Sequence, residues 1–293
     1  MDAPLILLLL LSGACALPAS IESCDCVCGV RGRNNRIVGG KETDANEYPW
    51  MVGLFRGNRL YCGGAIVSDK HVLTAAHCVH PFKKSEIKVY LGGHNISTDF
   101  IDTRRVRRIH EHENFDPVSF DFDIALLELD KAVLFGAKIQ PACLPDEQFK
   151  DYSGNVAMIA GWGRLGEQEQ TSNTLRQVIV PIWTREECHA SDYGAKRLTD
   201  NMMCAGYQDG GSDACQGDSG GPMNFEGKTG SIEVIGLVSW GRGCGRKKLP
   251  GIYTRVSNFL PWIQKKLNGQ CLCTPKEGIR SNFFESLAEQ NRI

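Results

Sequence analysis

Gly217-Asp218-Ser219-Gly220-Gly221-Pro222 sets a serine among glycines, with a carboxylate directly before it. A serine hydroxyl is a weak nucleophile at its own pKa and needs a neighbouring base to take its proton. It also needs backbone N–H groups aimed at the oxyanion that forms when it attacks a carbonyl. Glycines let the chain turn sharply and bring backbone close to a bound molecule. Taken alone, the hexapeptide also fits a serine on a strand-to-helix elbow, or a plain loop, so the rest of the chain has to decide.

Histidine order decides. On the elbow of an α/β-hydrolase the order is Ser, then Asp or Glu, then His. All seven histidines here (His71, His77, His80, His94, His110, His112 and His189) precede Ser219. An esterase or lipase of that type is excluded. Upstream stand Leu73-Thr74-Ala75-Ala76-His77-Cys78 and then Asp123-Ile124-Ala125-Leu126-Leu127. The order His, Asp, Ser is that of the chymotrypsin-type triad.

Further stretches carry the same pattern: Arg36-Ile37-Val38-Gly39-Gly40, Tyr48-Pro49-Trp50, Cys62-Gly63-Gly64, Gly161-Trp162-Gly163, Asp213-Ala214-Cys215-Gln216, Ser239-Trp240-Gly241 and Gly251-Ile252-Tyr253-Thr254. In this order the chain resembles a trypsin-like serine endopeptidase of the chymotrypsin fold, from about Ile37 to Leu267. A lone histidine is more often a core residue, and a lone Asp before an apolar strand a turn residue. The resemblance implies otherwise: Ser219 as nucleophile, His77 as base, Asp123 as the group that orients the ring. It makes Gly217 and Ser219 the oxyanion donors, and Ser239, Trp240, Gly241 and Gly251 the walls of a substrate pocket.

By the same resemblance Asp213 lies at the base of that pocket. A carboxylate at the bottom of a deep slot selects arginine or lysine, and bidentate pairing favours arginine. Trypsin carries a serine at the Ala214 position. Alanine lacks that hydroxyl acceptor for a lysine ammonium, so cleavage after Arg over Lys is expected. Arg36-Ile37 reads as an activation bond, with the freed Ile37 amino group pairing with Asp218. Because Arg36 suits an Asp213 pocket, self-activation is compatible with the same residues.

Composition bounds the setting. The chain opens with a charge-free run from Ala3 to Ile21, apolar at Leu5–Leu11, with Ala14-Cys15-Ala16 offering small residues for cleavage. This reads as a secretory signal over residues 1–16, although Asp2 stands where a basic residue is usual. Pro18 and its polar neighbours make the run too short for a spanning anchor. Thirteen cysteines fit an oxidising, extracellular compartment. A formal net charge of −1 gives no global pull toward nucleic acid or membrane. Asn95-Ile96-Ser97 is a glycosylation sequon, or an ordinary polar turn.

Three parts follow the signal: a cysteine-rich propeptide at 17–36, a catalytic unit at 37–267 and a tail at 268–293. Short apolar runs such as Ile87-Lys88-Val89-Tyr90-Leu91 and Val234-Ile235-Gly236-Leu237-Val238, split by Gly, Asn and Asp turns, predict an all-β unit. The resemblance implies two six-stranded antiparallel barrels with the site between them. Val256, Leu260, Ile263 and Leu267 recur at helical spacing and predict a C-terminal helix, expected on the second barrel.

The resemblance also pairs Cys62 with Cys78, Cys188 with Cys204 and Cys215 with Cys244. It gives Cys143 a partner among Cys24, Cys26 and Cys28, and the two left over are expected to tie the propeptide to Cys271 and Cys273. Spacing alone leaves those pairings open. No further bond is expected at Ala157 and Phe225. The loop at Gly92-Gly93-His94-Asn95 is short of carboxylates, so no calcium, other metal or cofactor is expected. Arg104-Arg105-Val106-Arg107-Arg108 reads as a solvated strand or an anion-binding surface, and Gly245-Arg246-Lys247-Lys248 as a loop able to repel basic substrates.

The expected protein is a secreted monomeric zymogen acting on proteins or peptides, with an activating protease and protein inhibitors as partners. A silent homologue that only binds is the alternative, and its mark would be a broken triad.

Overall fold

The computed structural model describes residues 25–32, 42–164, 166–211, 213–270 and 272–276. The signal at 1–16, the Arg36–Ile37 bond, Cys24, Cys271 and the chain beyond residue 276 lie outside the described residues.

A short strand, β1 (Val27–Cys28), leads into the first barrel. Its strands are β2 (Met51–Arg56), β3 (Arg59–Ser68), β4 (His71–Thr74), β5 (Ile87–Leu91), β6 (Asp102–Glu111) and β7 (Ala125–Leu129). They close in the order β2-β3-β4-β7-β6-β5, each pair antiparallel. In β5, Ile87, Val89 and Leu91 are buried while Lys88 faces solvent, the alternation of a strand wet on one side. Strand β4 is buried throughout, so the residues just past its end are carried on a rigid support.

The second barrel holds β8 (Val156–Gly161), β9 (Arg176–Pro181), β10 (Met202–Ala205), β11 (Pro222–Glu226), β12 (Ile232–Trp240) and β13 (Gly251–Arg255). The order is β10-β13-β12-β11-β8-β9, and an antiparallel bridge from Ile182 to Ala205 brings the ends together. This is the two-barrel, all-β architecture of the chymotrypsin fold.

Polar contacts cross the seam between the barrels. Buried Trp50 donates Nε1–H to the Asn224 side chain at 2.9 Å, and Gly63 N–H donates to Ser219 O at 2.8 Å. Gly220 has φ +74°, and a Cβ there would lie 2.3 Å from Thr74 Oγ1. Only glycine fits where the serine turn meets the first barrel.

The helix forms at the expected place, as α2 (Leu260–Leu267) after a 3₁₀ turn from Val256, with Val256, Leu260, Ile263 and Leu267 buried. A shorter helix, α1 (Arg185–His189), precedes it in the chain, capped by Thr184. The helix also reaches the first barrel. Trp262 lies over His112 and donates to Glu113 at 2.9 Å, and Lys266 pairs with the same Glu113; His112 and Glu113 stand just past β6. Periodicity identifies the buried stripe but says nothing about what covers it.

A last strand, β14 (Thr274–Pro275), runs parallel to β1. Cys26–Cys273 and Cys28–Cys143 fasten this pair to each other and to the catalytic unit, alongside Cys62–Cys78, Cys188–Cys204 and Cys215–Cys244. Ala157 is buried in the core of the second barrel, and half-buried Phe225 packs against that core.

Candidate active site

His77 sits on a single 3₁₀ turn, Ala76–Cys78, directly after buried β4. The Cys62–Cys78 bond ties that turn to β3. Asp123 is buried just before β7 and grips the turn twice. Its Oδ1 accepts the His77 backbone N–H at 2.8 Å, and its Oδ2 meets His77 Nδ1 at 2.7 Å. An ionised carboxylate only accepts, so Nδ1 carries the hydrogen and Nε2 keeps its lone pair. Two more donors reach Asp123: the Ser239 hydroxyl to Oδ2, and Thr254 Oγ1 to its backbone oxygen at 2.7 Å.

Ser219 is held by its backbone in the turn between Cys215 and β11. Asp218 N–H donates to Cys215 O at 3.0 Å, and Gly221 N–H donates to Asp218 O at 2.9 Å. Gly217 takes φ +104°, a conformation open to glycine, and a Cβ there would lie 3.0 Å from Gly163 Cα. Ser219, His77 and Asp213 line one cavity of about 310 Å³, with Trp240, Gly241 and Gly251 among its walls. Among the described residues no hydrogen bond is formed by the Ser219 hydroxyl. Nε2 of His77 has Cys78 Sγ at 3.6 Å, a sulfur already bonded to Cys62.

Asp213 Oδ1 accepts from Ala214 N–H at 2.8 Å and Oδ2 from Gly245 N–H at 3.1 Å. Burial pushes its pKa up to about 6, although both N–H groups pull it down and Asp218 adds a smaller upward push. Asp218 stands in an adjoining cavity of about 200 Å³, accepting from Gly163 N–H at 2.7 Å and Cys215 N–H at 3.0 Å. Burial raises its pKa too, against those two N–H groups.

Three of these stretches have partners that the sequence did not name. Ser239 was expected on the pocket wall, and it does line the cavity, but its hydroxyl is committed to Asp123. The basic loop is largely neutralised, with Arg246 held by both Glu167 oxygens at 2.6 and 2.8 Å and Lys247 on Asp209 at 2.9 Å. Of the arginine run on β6, Arg104 pairs with Asp102, and Arg107 with Glu128 at 3.2 Å. Asn95 is half-buried, its side-chain oxygen accepting Ser97 N–H at 2.9 Å. Cys62, His77 and Cys78 form the group of potential metal ligands among the described residues, and the disulfide removes both thiolates from it.

Sequence reasoning missed Phe120, Tyr253 and Tyr193. Phe120 lies 5.5 Å from the His77 ring, and Tyr253 lines the cavity. Tyr193 packs on Trp240 at 4.9 Å and hydrogen-bonds Pro250 O and Arg242 N–H. Tyr253 stands inside the quoted Gly251-Ile252-Tyr253-Thr254 stretch, but its place in the cavity was not read from it; no local motif marks Phe120 or Tyr193, which act through contacts made far along the chain.

The family model described as Trypsin matches residues 37–263. The proclotting enzyme of Tachypleus tridentatus is 38% identical over 258 residues, covering 82% of this chain and 69% of that protein. The clotting factor G beta subunit of the same animal is 37% identical over 262 residues, 84% of each. The serine protease filzig of Drosophila melanogaster is 39% identical over 255 residues, 81% of this chain but 15% of that much longer protein. No helix among the described residues is long and apolar enough to cross a membrane. With a matching family model over most of its length, relatives of this identity and two barrels framing one cleft, the chain belongs to the trypsin family and is a serine endopeptidase.

Proposed function

We propose that the protein is a secreted zymogen whose activated form cleaves protein substrates after arginine, and less well after lysine. The observation that carries this reading is Asp213, a carboxylate at the cavity that His77 and Ser219 share. Ser219 attacks the scissile carbonyl and His77 Nε2 takes its proton. Asp123 holds the ring with Nδ1–H turned inward and stabilises the imidazolium. The N–H groups of Gly217 and Ser219 receive the oxyanion. His77 then protonates the leaving amine, and water releases the acyl group by the same steps in reverse.

Cleavage of Arg36–Ile37 supplies the switch. The new Ile37 ammonium enters the cavity beside Asp218, where burial disfavours an unpaired carboxylate and a cation relieves it. This division of the chain, with residues 17–36 before the cut and the tail after 267, is part of the proposal. The clotting proteins among its relatives support a protein substrate and a separate activating protease.

The test is hydrolysis of paired Arg and Lys peptides before and after cleavage at Arg36. Activity that appears only after the cut, with Arg preferred, is the expected result. No activity from chain verified to begin at Ile37 would refute the reading and favour a silent homologue.

A further inference from the structure

The mouth of the Asp213 slot carries two cations that the proposed reaction does not use. Strand β11 begins at Pro222, opposite Leu237, whereas β12 runs on to Trp240. Beyond Val238, which bonds Gly220 and Gly221, the β11 side of β12 is open at Ser239 and Trp240. An open edge of this kind takes an extended peptide as an added strand. A peptide whose arginine reaches Asp213 between Gly241 and Gly251 therefore runs its preceding residues along this edge.

Two guanidinium groups flank that path. Arg197, exposed at the end of a 3₁₀ turn, lies 4.9 Å over the Trp240 ring. Arg242 follows Gly241 directly, donates its backbone N–H to Tyr193 Oη at 2.9 Å and holds its guanidinium 6.0 Å from the Tyr193 ring. Tyr193 in turn packs edge-on against Trp240. Trp240 and Tyr193 thus hold two positive charges at one rim. Among the described residues neither arginine has a carboxylate partner, while Arg246 on the same rim is paired with Glu167. An aromatic face positions a cation but does not neutralise it.

Resting on the proposed arginine cleavage, we propose that Arg197 and Arg242 form a subsite for an acidic side chain. That side chain sits at the third or fourth substrate residue, counting back with the scissile arginine as the first. The preferred substrate class is then a segment with Asp or Glu shortly before its Arg.

The experiment uses the full chain cut after Arg36 and three fluorogenic Arg peptides that differ only at those two positions: Asp, Asn or Lys. The expected kcat/KM is about two- to fivefold higher for the Asp peptide than for the Asn peptide, the scale of exposed ion pairs. The gap should shrink as salt is added. In the double variant Arg197→Glu, Arg242→Glu the order should invert in favour of Lys, which a merely structural role would not produce. Equal rates on all three peptides in the unaltered protein, or an unchanged order in the variant, would overturn the subsite alone. If chain verified to begin at Ile37 cleaves none of the three, the arginine reading falls and takes the subsite with it.

Discussion

Ser239 donates its hydroxyl to Asp123 Oδ2, the same oxygen that faces His77 Nδ1 at 2.7 Å. The two contacts, with the His77 backbone N–H on Oδ1, surround a buried carboxylate with donors. Ser239 is thus a positioning residue: it fixes the plane of the carboxylate that fixes the ring.

Replacing it tests that role. Ser239→Ala leaves one lone pair of a buried carboxylate without a donor, which costs about 1–2 kcal/mol of stability. We expect a lower urea midpoint at unchanged slope, and a kcat lowered about tenfold with little change in KM. Loss of affinity with unchanged kcat would instead assign Ser239 to the substrate wall.

Asp123→Asn should be far more severe. An amide can donate to Nδ1 and so favour the tautomer with its hydrogen on Nε2, where the Ser219 proton has to go. A fall in kcat of about four orders of magnitude is expected, with the fold retained by circular dichroism.

The slot carboxylate predicts a pH limb that does not involve His77. Burial pushes the Asp213 carboxyl up to about 6, above its ordinary 3.8. Between those values the native protein holds a proton that the unfolded chain has lost. Stability attributable to this group therefore falls as pH rises from 3.8 to 6 and is level above that. Binding runs the other way, because a cation needs the ionised form. The affinity of an arginine-like amidine inhibitor should rise with pH through about 6 and then flatten. In Asp213→Asn, titrated by the same inhibition assay, the limb should vanish along with most of the affinity.

Gly251→Ala probes the walls. Its Cβ would lie 2.9 Å from Tyr253 Oη and 3.1 Å from Asp213 Oδ1, inside the slot. Overpacking of this kind costs about 1–3 kcal/mol. It should appear as a KM for Arg peptides raised about tenfold or more, with kcat less affected.

The loop before Asp123 carries strain that Asp121 restrains. Phe120 and Phe122 stand at φ +62° and +56°, where bulky side chains are disfavoured. Between them Asp121 accepts from Thr199 Oγ1 at 2.8 Å and Asn201 Nδ2 at 2.9 Å, both on the second barrel. Asp121→Ala should release this loop, with faster hydrogen exchange at residues 120–124 and a lower kcat. Unchanged exchange there would show that the aromatic packing of Phe122 on His112 and Phe259 suffices.

The sequence was most legible where chemistry fixes residue type and spacing together. Asp218-Ser219-Gly220, Ala76-His77-Cys78 and the strand runs at Ile87 and Val234 belong to that group. The stripe of α2 was legible for the same reason, since its period of burial is local. What escaped were contacts across long separations. Ser239 finds Asp123 across 116 residues, Arg246 finds Glu167 across 79, and Trp262 finds Glu113 across 149. A run of basic residues looks alike whether or not a distant glutamate neutralises it, and an apolar helix face looks alike whichever barrel it meets.

The strands at the two ends of the described chain bear on the history of the molecule after a cut. Cys28–Cys143 and Cys26–Cys273 both lie before residue 33 on one side and beyond residue 42 on the other. Any scission between Gly32 and Glu42 therefore divides the backbone without dividing the particle. The segment before the cut cannot diffuse away, so a molecule cut there carries a second N-terminus. On a gel the event stays invisible until a reductant is added, and the two pieces share one lifetime.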